Sequence, residues 1–181
     1  MAIFLITAPS GVGKTTIAQE IQRYGDWHEC ISHTTRPMRY GEVNGKTYYY
    51  ISKEEFLKMD NNNEFAERVT YDGNFYGISK AEIERVMSFG SHVYIIVEYE
   101  GYKQVKEKFP DAIGIFMHMS EEECMANMLF RGDSISKAQT RMLTYNEEML
   151  NRGQYDYVIK NVRGKMKETI SVIRAIISQY D

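Results

Sequence analysis

The sequence predicts an α/β fold in which a parallel sheet is flanked by helices, and three features carry that prediction. An apolar run over residues 3–6 leads through Ala8-Pro9-Ser10-Gly11-Val12-Gly13-Lys14-Thr15 into a helical pattern, the strand–loop–helix order of a phosphate-binding loop. Helix-like and strand-like segments then alternate along the chain, as a parallel sheet with crossover helices requires. Finally, Val93-Tyr94-Ile95-Ile96-Val97 is short, continuous and rich in β-branched residues, the pattern of a strand buried on both faces. Together these predict a P-loop NTPase-type sheet.

The first helix is expected over 14–24, with Ile17 and Ile21 on its core face and Gly25-Asp26 closing it. A short strand over 29–32 follows. Residues 32–42 are polar without a period and read as a loop; a β-like pattern returns over 46–50. Ser52 and Glu55 have the spacing of a capping box for a short helix, and 64–71 with 74–78 reads as a hairpin across Asp72-Gly73. Residues 32–79 therefore read as a small inserted subdomain, leaving 1–31 and 80–181 as the core of a single domain. Ser79 with Glu82 opens a helix that ends near Gly90, and Glu98 sits at the carboxyl end of the 93–97 strand. A helix over 101–109, a strand over 113–117 and a helix capped by Ser120 and Glu123 come next. After the polar turn 131–134, a helix over 136–151, a strand over 157–159 and a terminal helix over 165–180 complete the chain. Ile170, Ile173, Ile176 and Ile177 form the core stripe of that last helix.

Composition narrows the function classes. A chain of 181 residues with 43% hydrophobic and 26% charged residues fits one globular domain. A net charge of -3 argues against a general nucleic-acid binder. Cys30 and Cys124 lack CxxC spacing, and His28, His33, His92 and His118 form no ligand cluster. The absence of a basic leader and of an apolar run of membrane-spanning length predicts a cytoplasmic protein without a membrane partner.

The phosphate loop supplies the first candidate site. Pro9, Ser10, Gly11, Val12 and Gly13 present backbone N–H groups to phosphate oxygens, Lys14 reaches the terminal phosphates, Thr15 offers a hydroxyl to Mg²⁺, and Thr16 continues the helix N-terminus. Ala8 stands where the generic pattern has its first glycine, so this position must keep a negative φ.

Thr34-Thr35-Arg36 with Arg39, Gly41-Glu42, Asn44-Gly45 and Tyr48, together with the phosphate loop and 73–77, resembles the guanylate kinase family over nearly the whole chain. The resemblance implies transfer of the γ-phosphoryl group of ATP to GMP or dGMP, with Mg²⁺, on a P-loop core carrying a mobile monophosphate-binding subdomain and a helical lid over about 127–141. It implies that Arg36, Arg39, Tyr48 and Tyr76 hold the acceptor phosphate, with Glu42 at the same site. Ser32 and Glu67 would face guanine, whose N1–H and amino group are adjacent donors that suit a carboxylate. Arg131 and Arg141 match lid arginines that close over the transferring group. Asn161 matches the region that meets adenine, and Glu98 the acidic strand end, reaching the metal through water. The acceptor phosphate is already ionised near neutral pH, so no general base is required. The expected partners are small-molecule nucleotides, bound by a monomer or homodimer.

Four positions depart from the family pattern. Ile78 stands where a hydroxyl residue follows the Tyr-Gly of the base pocket, Ile96 replaces one acidic position, Glu98 replaces an aspartate, and Asn127 replaces a further lid arginine in a lid one residue shorter. Two alternatives stand beside the GMP kinase reading. One is a kinase for a different or modified nucleoside monophosphate or a ribose bisphosphate; the other is a non-catalytic interaction domain, against which the intact Lys14-Thr15 speaks.

Overall fold

In the computed structural model, which describes residues 1–71 and 73–181, β1 (Ile3–Thr7) is buried along its whole length. Side chains of a strand alternate between faces; here Phe4 and Ile6 enter one apolar cluster, and Ile3 and Leu5 enter another. The strand is therefore the centre of a two-sided core. Its neighbours are β7 (His92–Ile96) and β8 (Ile113–His118), with β2 (Trp27–Glu29) outside β7 and β9 (Tyr157–Lys160) outside β8, all parallel in the order β2-β7-β1-β8-β9. On the Phe4 face, α1 (Lys14–Arg23) contributes Ile17 and Ile21, and α8 (Met166–Ile177) contributes Ile170, Ile173, Ile176 and Ile177. Opposite, α3 (Lys80–Met87) supplies Ile83 and Val86, and α4 (Tyr99–Lys108) supplies Tyr102 and Val105. This is the fold class that the sequence predicts.

Several boundaries differ from the sequence reading, and residues 33–34, read as loop, form a short strand. The strand expected over 29–32 forms two residues earlier, because Trp27 is fully buried with its indole N–H donating to the Ala18 carbonyl at 3.0 Å. An aromatic anchor outweighs local pattern there. The helix expected over 136–151 is divided into α6 (Ile135–Met142) and α7 (Tyr145–Leu150), followed by a 3₁₀ turn, Asn151–Gln154. At the break the Leu143 N–H bonds the Thr140 carbonyl, and Thr144 Oγ1 donates to Glu148 Oε1 at 2.7 Å. The hydroxyl redirects the chain at that point. The terminal helix stops at Ile177, and Tyr180 turns back to pack edge-on against Phe4, 5.6 Å between centroids.

A second sheet holds β3 (His33–Thr34), β4 (Tyr49–Tyr50), β5 (Phe65–Tyr71) and β6 (Asn74–Ser79), in the order β4-β3-β6-β5. The expected hairpin between β5 and β6 is present; Asp72, placed in its turn by the sequence, lies outside the described residues. Short α2 (Lys53–Asn61), with the Ser52 hydroxyl accepting from the Glu55 N–H, stacks Phe56 on Phe65 at 4.3 Å. A bulge interrupts the β5–β6 register between Phe65 and Glu67. The extra residue lets both Ala66 and Glu67 be buried, so the carboxylate is turned inward where strict alternation would turn it out. Two side chains of α4 cover the free edge of this strand. Gln104 accepts from the Arg68 N–H at 2.9 Å and donates to its carbonyl at 3.1 Å, while Lys108 Nζ donates to the Phe65 and Ala66 carbonyls, both at 3.0 Å.

Candidate active site

The loop between β1 and α1 takes the conformation its glycines allow. Gly11 and Gly13 have φ of 87° and 91°, and Gly13 caps α1. A side chain at Gly11 would collide with the Cys124 carbonyl of α5 (Glu121–Phe130), so glycine is required there for space as well as for φ. Ala8 is buried and keeps a negative φ, as its identity demands. Lys14 Nζ donates to the Ala8 carbonyl at 3.2 Å. Burial lowers the Lys14 pKa, and Glu148 and Glu98 oppose that shift while Arg141 and Arg131 add to it. Glu98 at the end of β7, Arg131 and Arg141 are thus electrostatic neighbours of Lys14.

Asn161, expected against adenine, lies instead under the loop, 6% exposed. Its Nδ2 donates to the Val12 carbonyl at 2.8 Å, and its Oδ1 accepts from Thr169 Oγ1 at 2.8 Å. Both ends of the amide are committed to the protein. Asn127 of α5 donates to the Gly11 carbonyl at 3.0 Å.

A hydrogen-bonded cluster assembles around Glu42. Its Oε1 accepts from Arg36 Nη2 at 2.7 Å, and its Oε2 accepts from the Arg39 N–H at 2.7 Å and from the Tyr50 hydroxyl at 2.8 Å. These donors, the Arg36 guanidinium first, hold the Glu42 pKa down to about 2. Arg36 lies 5.6 Å over the Tyr48 ring and 5.9 Å over the Tyr50 ring, and Tyr76 meets Tyr48 edge-on at 5.9 Å. The structure thus brings Arg36, Glu42, Tyr48 and Tyr76 together. Arg39 enters through its backbone, with its side chain exposed. Tyr50 escaped the sequence reading; its signal was the Tyr48-Tyr49-Tyr50 run leading into and through β4.

Glu67 is 7% exposed, and its pKa is raised to about 7, chiefly by burial and partly by Glu98, against the Ile78 N–H and Lys108. Gly101 of α4 leaves it room, since a Cβ there would lie 3.3 Å from Glu67 Oε2. Cross-strand from Glu67 stands Ile78, 2% exposed. A cavity of about 500 Å³ is lined by Thr15 of α1, by Ser32, Tyr48 and Ile78 of the second sheet and its approach, and by Ile96 of β7. It lies between the start of α1 and the second sheet.

Arg131 and Arg141 meet at Asp133: Arg131 Nε donates to Oδ2 at 2.7 Å, and Arg141 Nη1 lies 4.0 Å away. Glu82 is a second residue the sequence reading missed. The Ser79–Glu82 spacing predicts a reciprocal capping box, and the Ser79 hydroxyl does accept from the Glu82 N–H. The Glu82 carboxylate, however, accepts from Ile31 N–H, Tyr49 OH and two guanidinium nitrogens of Arg85, tying the start of the inserted sheet to α3. At Ser120 and Glu123 the box is complete.

Comparison with known proteins agrees with this geometry. The family model described as guanylate kinase matches residues 1–180. A guanylate kinase of Photorhabdus laumondii is 37% identical over 164 residues, covering 88% of this chain and 79% of the relative. One of Shewanella denitrificans is 35% identical over 179 residues, covering 97% and 86%. The crystal structure of guanylate kinase from Anaplasma phagocytophilum superposes with a TM-score of 0.74 at 28% identity, over 99% of this chain and 85% of that one. A shikimate kinase from Bacteroides thetaiotaomicron, at 10% identity and a TM-score of 0.51, shares the fold alone. With a phosphate loop on the parallel sheet, a family model matched over residues 1–180 and relatives at 35–37% identity, the chain belongs to the guanylate kinase family of nucleoside monophosphate kinases.

Proposed function

We propose that this chain phosphorylates GMP, and dGMP with it, at the expense of ATP, through the phosphate loop and the residues of the second sheet. The observation that carries the reading is the cavity between them: Thr15 of the phosphate loop lines it together with Ser32 and Tyr48 of the acceptor side. Residues 32–79 act as the monophosphate-binding unit, 1–31 and 80–181 as the core, and 127–141 as the lid. The loop N–H groups and Lys14 hold the ATP phosphates. Arg36, oriented by Glu42, holds the acceptor phosphate with Arg39, Tyr48 and Tyr76, and Glu67 with Ser32 reads the donor edge of guanine.

An oxygen of the acceptor dianion attacks the γ-phosphorus, the bond to the β–γ bridging oxygen breaks, and ADP leaves with that electron pair. No proton need move, so the catalytic effect comes from alignment and charge neutralisation. Lys14, Arg131 and Arg141 supply the positive charge, the arginines by leaving Asp133. Oxygen donors suit Mg²⁺: the Thr15 hydroxyl would help hold it, with Glu98 acting through water. Among the described residues there is no cluster of three metal-ligating side chains, which fits a cation held mainly by nucleotide phosphates. When bound, Mg²⁺ neutralises charge on the β and γ phosphates. We place the protein in the cytoplasm, where Cys30 and Cys124 remain thiols.

The test is ADP formation by purified protein with Mg-ATP and GMP, dGMP, AMP, CMP, UMP, dTMP and dUMP. Turnover confined to GMP and dGMP is the expected result; turnover on another acceptor overturns the assignment of Glu67 and Ser32 as specificity residues.

A further inference from the structure

Every carbonyl from Ala8 to Gly13, Ser10 excepted, has a named donor. Ala8 receives Lys14 Nζ at 3.2 Å, Pro9 the Val12 N–H at 3.4 Å, and Gly13 the Ile17 N–H at 3.0 Å. The two between them, Gly11 and Val12, are held by side-chain amides from distant elements, Asn127 of α5 and Asn161 beyond β9. Such a loop must present N–H groups to an anion, and its own carbonyls are the groups that would repel one. In a trans peptide the C=O and the following N–H point opposite ways. Fixing the Gly11 carbonyl therefore sets the Val12 N–H that bonds the Pro9 carbonyl, and fixing the Val12 carbonyl aims the Gly13 N–H.

We propose that Asn127 and Asn161 are paired positioning residues of the phosphate loop: Asn161 holds the Val12 carbonyl away so that the Gly13 N–H faces the nucleotide phosphates, and Asn127 holds the Gly11 carbonyl and with it the turn in which the Val12 N–H bonds the Pro9 carbonyl. Both amides are themselves locked. The Asn127 Nδ2 also contacts Met119 Sδ at 3.3 Å, and Asn161 Oδ1 accepts from the buried Thr169 hydroxyl. Asn127 adds a second consequence. It lies one turn before Arg131 on the same helix, whose N–H bonds the Asn127 carbonyl at 3.2 Å, so the lid arginine is set in register with the loop it must serve. Where the family resemblance leads one to expect a lid arginine, this chain has a neutral group that fixes geometry.

The inference rests on the P-loop reading, and direct binding separates the two. Affinities for MgADP and for inorganic tripolyphosphate, which has no base, are measured by calorimetry on wild type, Asn127→Ala, Asn161→Ala and the double variant. Each single variant is expected to weaken both ligands by the same factor, about 3- to 10-fold for one lost hydrogen bond. The double variant should depart from the product of the two factors, because adjacent peptides share the strain. In turnover the KM for ATP should rise while that for GMP stays within about twofold, a split that general loosening does not produce. Thr169→Val, which releases Asn161 without touching the loop, should reproduce part of the Asn161→Ala loss and serves if Asn161→Ala does not fold. Loss of MgADP affinity with tripolyphosphate unchanged would make Asn161 a base contact and overturn the proposal, as would unchanged affinity for both ligands in Asn127→Ala. A wild type that binds neither ligand would overturn the P-loop reading itself.

Discussion

Arg36 and Glu42 are bonded side chain to side chain at 2.7 Å, with 11% and 19% of their side chains exposed. Six residues apart on an irregular loop, they are fixed because Glu42 also takes the Arg39 N–H and the Tyr50 hydroxyl. Glu42→Gln keeps the shape and removes the charge that orients the guanidinium. The expected outcome is a rise of about 10-fold in the KM for GMP with the KM for ATP unchanged, read from steady-state kinetics.

Glu67 carries a pH prediction. Its folded pKa, raised to about 7, lies above the unfolded carboxylate value, so the folded state binds the proton more tightly. This group therefore leaves stability highest below about pH 4.5 and lowers it as pH rises toward 7, by roughly 2–3 kcal/mol in all. Glu67→Gln should flatten that part of the stability curve in denaturant titrations at pH 5 to 8. Guanine needs the ionised form, so the KM for GMP should fall as pH rises through 7 in wild type, beyond the change seen in Glu67→Gln.

Lys14 is a cation already penalised by burial. Lys14→Met should abolish detectable turnover, a loss of at least about 1000-fold, while thermal unfolding stays at or above the wild-type temperature. Full activity in that variant would remove the loop from the mechanism.

Arg131 is held by Asp133 at the base of the lid. Arg131→Ala should lower kcat by about 100-fold or more with both KM values little changed, the mark of a group that acts on the transferring phosphoryl. Rapid-quench measurement of the chemical step checks it.

Lys108 donates to two consecutive carbonyls that flank the bulge below Glu67. Lys108→Met leaves them without that donor and should cost about 1–3 kcal/mol of stability, with a higher KM for GMP because the bulge that aims Glu67 is loosened.

What the sequence made legible follows the physics of each signal. β1, α1 and β7 were readable because burial on both faces and a 3.6-residue period both leave a pattern in one short segment. The phosphate loop was readable because its chemistry demands particular residues at particular spacing. The β5 bulge was not, since an inserted residue in a ladder is defined by its partner strand and Phe65-Ala66-Glu67 carries no mark of it. Glu82 was legible as a capping position and illegible as a tie, because Ile31, Tyr49 and Arg85 reach it only in the folded chain. Asn161 was placed near adenine by the family resemblance, and its bonds to Val12 and Thr169 arise only in the folded chain.

The α4 side chains that cover β5 also close one edge of the second sheet to strand addition. An edge strand with free backbone groups is a template for strand addition by another molecule. Here Gln104 imitates that missing strand by taking both backbone groups of Arg68, and Lys108 takes the carbonyls of Phe65 and Ala66. The inserted sheet is thereby shielded from edge-to-edge aggregation at the place where it meets the core, without a further strand to do it.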